Sequence, residues 1–162
     1  MQNGSSDDDV EIEGMTDADL EQVMAIERGS FPAPWSPTLF KETLVFPHAY
    51  NFVIRKRVDN KVVGYANFYL IRDEVQVLNI AIDPASRKKG YATRLMKHAI
   101  ALLAKQRAQD FYLEVRESNG DAMRLYQGLG FRKIGRRKRY YTETNEDAIV
   151  MHLKVKEAEW MT

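Results

Sequence analysis

Apolar and polar positions alternate along this chain in two rhythms, and each change of rhythm marks an element. Val10 and Ile12 alternate with polar neighbours up to Met15, the period-two pattern of a short strand. Thr16 or Asp17 then caps a helix with the apolar stripe Leu20, Val23, Met24 and Ile26, and Gly29 ends it. Phe31 to Pro37 is a turn-rich linker, and Ser36 followed by Pro37 marks the start of a second helix. That helix carries Leu39, Phe40, Thr43 and Leu44 and stops before Pro47. Three strand-like runs follow: Tyr50 to Arg57, Lys61 to Ile71 and Glu74 to Ile82, with turns at Asp59-Asn60 and Arg72-Asp73. They predict an antiparallel meander, which Asp83-Pro84 breaks because proline has no N–H to give a ladder.

From Lys89 to Ala108 the rhythm turns helical, with Ala92, Leu95, Met96, Ala99 and Leu103 on one stripe. Asp110 to Arg116 is a strand with Phe111, Leu113 and Val115 on one face and Tyr112, Glu114 and Arg116 on the other. Asn119 or Asp121 starts a helix with the stripe Ala122, Leu125, Tyr126 and Leu129, ended by Gly130. Phe131 to Arg139 and Ala148 to Val155 form a closing pair of strands around the polar loop Tyr141 to Asp147. This order predicts a single mixed α+β domain over residues 10–155, with a right-handed β-α-β crossover through the long helix.

Composition narrows the function classes. With 162 residues the chain is long enough for one core. A net charge of +1 gives no global field for nucleic acid, so recognition is local. There is no cysteine, which excludes disulfides, Cys-based zinc sites and a thiol nucleophile. His48, His98 and His152 lack metal-ligand spacing, so no metal is expected. Residues 1–9 read as a disordered acidic tail and 156–162 as a C-terminal tail. No signal peptide or membrane span is legible, and the expectation is a cytoplasmic protein, monomeric or weakly dimeric, without membrane or stable nucleic-acid partners.

The first candidate for chemistry is Arg87-Lys88-Lys89-Gly90-Tyr91-Ala92, where a strand hands over to the long helix. Unpaired N–H groups and the helix dipole favour an anion there, and Gly90 and Ala92 let a ligand come close. Taken alone, the segment is equally a basic, solvated first turn. Glu114 by itself is a solvated strand glutamate and Tyr126 a core tyrosine. Trp35 is a core plug or part of a substrate wall. Arg136 to Arg139 is a solvated basic edge or a contact for nucleic acid or for a cofactor's phosphates, and Glu143, Glu146 and Asp147 are candidates to receive a basic substrate tail.

Leu78-Asn79-Ile80-Ala81-Ile82-Asp83-Pro84 followed by Arg87 to Ala92 resembles the acetyl-CoA signature of the GCN5-related N-acetyltransferase (GNAT) superfamily. Within it, the closer resemblance is to the ribosomal-protein-alanine N-acetyltransferases, the RimI type. That resemblance runs through Phe31 with Pro34-Trp35-Ser36, Leu113 to Asn119, Leu125-Tyr126 with Leu129-Gly130-Phe131, Tyr140-Tyr141, and Glu146 to Met151. The chain departs from it at Ala92, where the motif also takes glycine, and in a shorter loop, Thr142 to Asn145.

The resemblance implies a GNAT fold: a mostly antiparallel central sheet of about seven strands flanked by about four helices, with a β-α-β acetyl-CoA-binding core. It implies acetyl-CoA as donor, held by the backbone of Ile80, Ala81 and Ile82, by Arg87, Lys88, Lys89, Gly90, Tyr91, Ala92 and Thr93, and by Asn119. Glu114 is the implied general base and Tyr126 the general acid, with Phe31, Trp35, Tyr140 and Tyr141 around the acceptor. The implied acceptor is the N-terminal alanine of a small-subunit ribosomal protein. A small amine or lysine as acceptor, and a non-catalytic CoA- or ribosome-binding module, are the alternatives.

Overall fold

The computed structural model describes residues 9–156. In chain order the elements are β1 (Val10–Gly14), α1 (Leu20–Ser30), α2 (Pro37–Val45), β2 (Ala49–Lys56), β3 (Val62–Ile71), β4 (Glu74–Ile82), α3 (Tyr91–Lys105), β5 (Asp110–Arg116), α4 (Gly120–Gly128), β6 (Arg132–Tyr141) and β7 (Glu146–Lys154), with 3₁₀ turns at Asp17–Asp19 and Pro84–Ser86. The strands form one seven-stranded sheet in the order β1-β2-β3-β4-β5-β7-β6. Among the described strands only β4 and β5 run parallel; every other neighbouring pair is antiparallel. The mixed, mostly antiparallel sheet with four helices is thus the architecture expected. The predicted tails fall almost wholly on residues 1–8 and 157–162, which lie outside the described residues. No described helix is long and apolar enough to cross a membrane.

Alternation along the strands gives the sheet two apolar faces. On one, Leu95, Met96, Ala99, Ile100 and Leu103 of α3, with Tyr126 of α4, join Phe68, Phe111, Leu113 and Met151 in the larger core. On the other, Val23 and Met24 of α1 and Phe40 of α2 close over Val53, Tyr65 and Ala81. Each large side chain buried this way contributes about 1.5–3 kcal/mol.

Several element ends differ from the sequence reading, for local reasons. Gly29 lies inside α1, which continues to Ser30; the Ser30 hydroxyl donates to the Ile26 carbonyl at 2.7 Å. Ser36 does cap α2, its Oγ accepting from the Leu39 N–H at 3.1 Å. Helix α3 starts at Tyr91, because Lys88 and Gly90 take left-handed backbone (φ +63° and +78°) and keep the preceding segment a loop. It ends at Lys105, where Arg107 adopts φ +72° and the N–H groups of Arg107 and Ala108 return to Ala104 and Leu103, both at 3.0 Å. That pair of bonds is a Schellman closure with arginine in the place usual for glycine. Helix α4 stops at Gly128, and β6 runs on through Tyr140 and Tyr141, so the loop before β7 shrinks to residues 142–145.

Candidate active site

The two parallel strands pair over a short stretch only, Glu74–Gln76 with Asp110–Tyr112. Beyond it β4 stays with β3 as far as Ile82 opposite Gly64, and β5 stays with β7 as far as Arg116 opposite Ala148. The strands therefore part, and the facing backbone edges of Val77–Ile82 and Leu113–Arg116 have no strand partner among the described residues. A bulge marks the start of the split: Asn67 lies opposite Asn79 but Phe68 opposite Val77, leaving Leu78 unmatched. A bulge bends its strand, and an unpaired edge is a template for an extended ligand that bonds through its own amides. Ile80, Ala81 and Ile82 line the far part of this wedge.

The turn after Ile82 leads directly to the N-terminus of α3. Arg94 is the first residue of that helix whose N–H reaches a carbonyl of its own turn, that of Gly90 at 3.0 Å, so the N–H groups of Tyr91, Ala92 and Thr93 precede the ladder. Gly90 is required for its backbone angle, φ +78°, rather than for space. Lys88 and Lys89 are exposed beside it. Unpaired amides, a helix dipole and two cations in one place fit a pyrophosphate. Arg87 is placed differently. Its Nε donates to the Ile82 carbonyl at 3.1 Å and its Nη2 lies 3.5 Å from Ser30 Oγ, so it ties the loop to β4 and α1. Asn119 caps α4, its Oδ1 accepting from the Ala122 N–H at 3.2 Å, which leaves the side-chain amide as its donor.

Alternation in β5 decides which side of the wedge each candidate group faces. Phe111, Leu113 and Val115 point into the core under α3 and α4, so Glu114 points to the opposite face, the one covered by α1 and α2. Tyr126 comes from α4 and stands on the α3 side, its ring 5.7 Å from that of Phe131 and 6% exposed. The two groups therefore flank the split from opposite faces. The Glu114 side chain is 21% exposed, with Arg137 Nε at 3.5 Å. The Tyr126 hydroxyl makes no hydrogen bond to a described residue, and burial, with Tyr141 adding, pushes its pKa well above the ordinary tyrosine value.

Tyr141 connects the two sides. Burial is the first cause pushing its hydroxyl up to about 12; the Arg116 charge opposes this and Glu114 adds to it. The Arg116 guanidinium lies 4.0 Å from the Tyr141 ring centroid, donates to Thr144 Oγ1 at 2.6 Å, and pairs with Glu143 and with Glu146 at 3.5 Å. Glu146 also accepts from the Ser118 hydroxyl, and Asp147 from the Arg139 N–H at 2.9 Å. Glu143, Glu146 and Asp147 are thus engaged inside the protein, and the bonds from Arg116, Ser118 and Arg139 respectively hold each below the usual carboxylate range. They strap the loop before β7 onto the β5–α4 turn. Tyr140 is 49% exposed at the same end, its ring 5.1 Å from that of Tyr141.

Residues 20–131 match the family model for the Acetyltransferase (GNAT) family. The chain belongs to the GNAT acetyltransferase family. As a member, it is an acetyl-CoA-dependent N-acetyltransferase. It is 33% identical to the ribosomal protein bS18-alanine N-acetyltransferase of Escherichia coli K12, over 89% of this chain and 97% of that one. It is 34% identical to the N-alpha-acetyltransferase RimI of Mycobacterium tuberculosis H37Rv, over 88% of this chain and 90% of that one. The crystal structure of the ribosomal-protein-S18-alanine N-acetyltransferase from Escherichia coli superposes with a TM-score of 0.83 at 32% identity, covering 91% and 94% of the two chains.

On this GNAT scaffold Tyr141 lies within electrostatic reach of Tyr126 and of Glu114, and Ile80–Ile82 lead through one turn to the α3 N-terminus. Phe31 and Trp35 lie on the α1–α2 face, the one toward which Glu114 points. Both are half-buried, and the Trp35 ring packs 5.0 Å from Phe40. The sequence reading missed Glu27. It is 1% exposed on α1, and its carboxylate accepts from the Tyr65 hydroxyl, from Asn79 Nδ2 at 2.7 Å and from the Trp35 N–H at 2.8 Å. A glutamate three residues after Met24, on the stripe that buries Val23, was the available signal.

Proposed function

We propose that this acetyltransferase moves the acetyl group of acetyl-CoA to the N-terminal α-amino group of a protein, namely the N-terminal alanine of a small-subunit ribosomal protein. The observation that carries the chemistry is the placement of Glu114 and Tyr126 on opposite faces of the β4–β5 split. Acetyl-CoA supplies an activated thioester. The backbone of Ile80, Ala81 and Ile82 holds its extended arm through the groups that face the wedge, and one of their N–H groups donates to the thioester carbonyl. The loop and first turn from Lys88 to Thr93 take the pyrophosphate, and the Asn119 amide donates from the far side of the wedge.

An amine must be neutral to attack. A protein α-amino group has a pKa of about 7.7–8.0, so removing its proton near neutral pH is a modest task for a carboxylate. Glu114 accepts that proton, directly or through a water. Tyr126, held protonated by burial, gives its proton to the departing sulfur. The base thus works on the α1–α2 face, where the acceptor enters past Phe31, Trp35, Tyr140 and Tyr141, and the acid works on the face of α4. The acceptor's identity is supported by the names of the Escherichia coli and Mycobacterium tuberculosis relatives. The test is CoA release with a panel of peptides differing only in their first residue. Preference for alanine is expected; equal turnover of all first residues, or turnover of free diamines alone, overturns the assignment.

A further inference from the structure

Glu27 occupies a place that neither acetyl-donor binding nor proton transfer explains. Carboxylates are rarely buried this far without a cation. Yet among the described residues all its partners are neutral: Tyr65 and Asn79 on Oε1, and the Trp35 backbone on Oε2. The three donors come from the middle of β3, from the strand that lines the wedge, and from the α1–α2 loop. Asn79 immediately precedes Ile80. A row of asparagines continues the polar path across the sheet, Asn79 opposite Asn67 and Asn67 opposite Asn51. Asn67 Nδ2 donates to Asn51 Oδ1 at 2.8 Å, and Asn51 Nδ2 donates to the Thr43 carbonyl of α2 at 3.2 Å. The loop is thus tied to the sheet at Trp35, and the helix after it at Thr43.

We propose that Glu27 is a positioning residue for the acceptor: its carboxylate fixes Trp35, and with it the loop Phe31 to Ser36, at a set distance from β4. The inference rests on reading that loop as a wall of the acceptor site. The three donors differ in one respect that makes it testable. The Tyr65 hydroxyl and the Asn79 amide can turn to offer an acceptor instead, but the Trp35 backbone N–H cannot. Glutamine at position 27 therefore satisfies all three, its oxygen on Trp35 and its NH₂ toward Tyr65 and Asn79. Leucine leaves the Trp35 N–H without a partner.

The experiment compares Glu27→Gln, Glu27→Leu and Tyr65→Phe, with acceptor peptide and acetyl-CoA varied separately. Glu27→Leu should raise the acceptor KM roughly tenfold, the effect of one buried donor left unpaired, with the acetyl-CoA KM within about twofold. Glu27→Gln should keep both values near wild type, and Tyr65→Phe, which removes an equally buried bond without touching the loop, should do the same. If Glu27→Leu does not fold, Glu27→Asp, one methylene too short to span all three donors, takes its place. An acceptor KM that rises equally in Tyr65→Phe, or a Glu27→Gln as impaired as Glu27→Leu, overturns the proposal. A second readout needs no substrate: with Trp160→Phe as background, acrylamide quenching of Trp35 should increase in Glu27→Leu and not in Glu27→Gln. Unchanged quenching refutes the anchor itself. A loosened Trp35 with an unchanged acceptor KM refutes the assignment of the loop to the acceptor.

Discussion

Replacing Tyr126 with phenylalanine separates chemistry from packing more cleanly than any other change in this site. The ring is 6% exposed and packs edge-on against Phe131 at 5.7 Å, contacts that phenylalanine keeps. The hydroxyl bonds to no described residue, so its removal orphans no partner. The cost to stability should stay within about 0.5 kcal/mol, a melting shift of no more than about 2 °C for a domain of this size. If that hydroxyl protonates the leaving sulfur, kcat should fall by about 10²–10⁴-fold, equivalent to about 2.7–5.4 kcal/mol of barrier. The KM for each substrate should change little, because the proton moves only as the thioester breaks. The assay is steady-state CoA release by Tyr126→Phe and wild type, with calorimetry on the same samples. A kcat within about threefold of wild type removes Tyr126 from the acid role. A melting drop of more than about 5 °C would show that the hydroxyl supports structure, and the kinetic loss could then not be assigned to proton transfer.

Other consequences are as direct. Glu114→Gln should lower kcat by about 10²–10⁴-fold, more strongly at lower pH where more of the amine is charged; an unchanged rate with an alanine-first peptide assigns the base elsewhere. Gly64→Ala places a Cβ 2.5 Å from Ile82 Cδ1 and 3.0 Å from the Ala81 carbonyl, so it should cost about 1–3 kcal/mol and weaken acetyl-CoA binding by displacing the end of β4. Calorimetry and acetyl-CoA titration check this, and an unaltered melting temperature contradicts it. Arg116→Ala removes the cation shared by Glu143, Glu146 and the Tyr141 ring, while Glu146 keeps its bond from Ser118, so it should lower stability by about 1–3 kcal/mol and raise the acceptor KM more than the acetyl-CoA KM. Burial raises the folded-state pKa of Tyr65, Tyr126 and Tyr141, the last to about 12. Unfolded tyrosine ionises near 10, so the folded state keeps protons that the unfolded state loses; stability should hold below about pH 9 and fall as pH rises beyond 10. Urea melts from pH 8 to 11 read this, and a flat profile refutes the burial of these hydroxyls.

The parts of the fold legible in the sequence were those governed by local rules. Strands β4 and β5 begin and end where turn residues and Asp83-Pro84 predict, because their alternation and their breakers lie within the same few residues. Ser36-Pro37 starts α2 for the same reason. Helix ends that depend on backbone conformation were not legible. Lys88 and Arg107 are left-handed without being glycine, and only the surrounding fold determines that. The parting of β4 from β5 is a property of how two strands meet, and neither strand's own pattern contains it.

For the site, Glu114 and Tyr126 carried ordinary alternatives when read alone, and the resemblance lifted them out. The face of Glu114 follows from the odd–even alternation of β5, and that of Tyr126 from the packing of α4 on the core that Phe111, Leu113 and Val115 enter. Glu27 escaped because an isolated glutamate on a helix reads as solvated. Its donors, at positions 35, 65 and 79, are too far away in sequence to be seen from it.

The central claim is that this fold acetylates a protein α-amino group. It is tested most directly by incubating the protein and acetyl-CoA with a peptide that begins with alanine and carries an internal lysine, then locating the modification by tandem mass spectrometry. The account predicts one acetyl group, on the α-nitrogen of the alanine, lost when Glu114 is replaced by glutamine. Acetylation of the lysine side chain with a free N-terminus would contradict it.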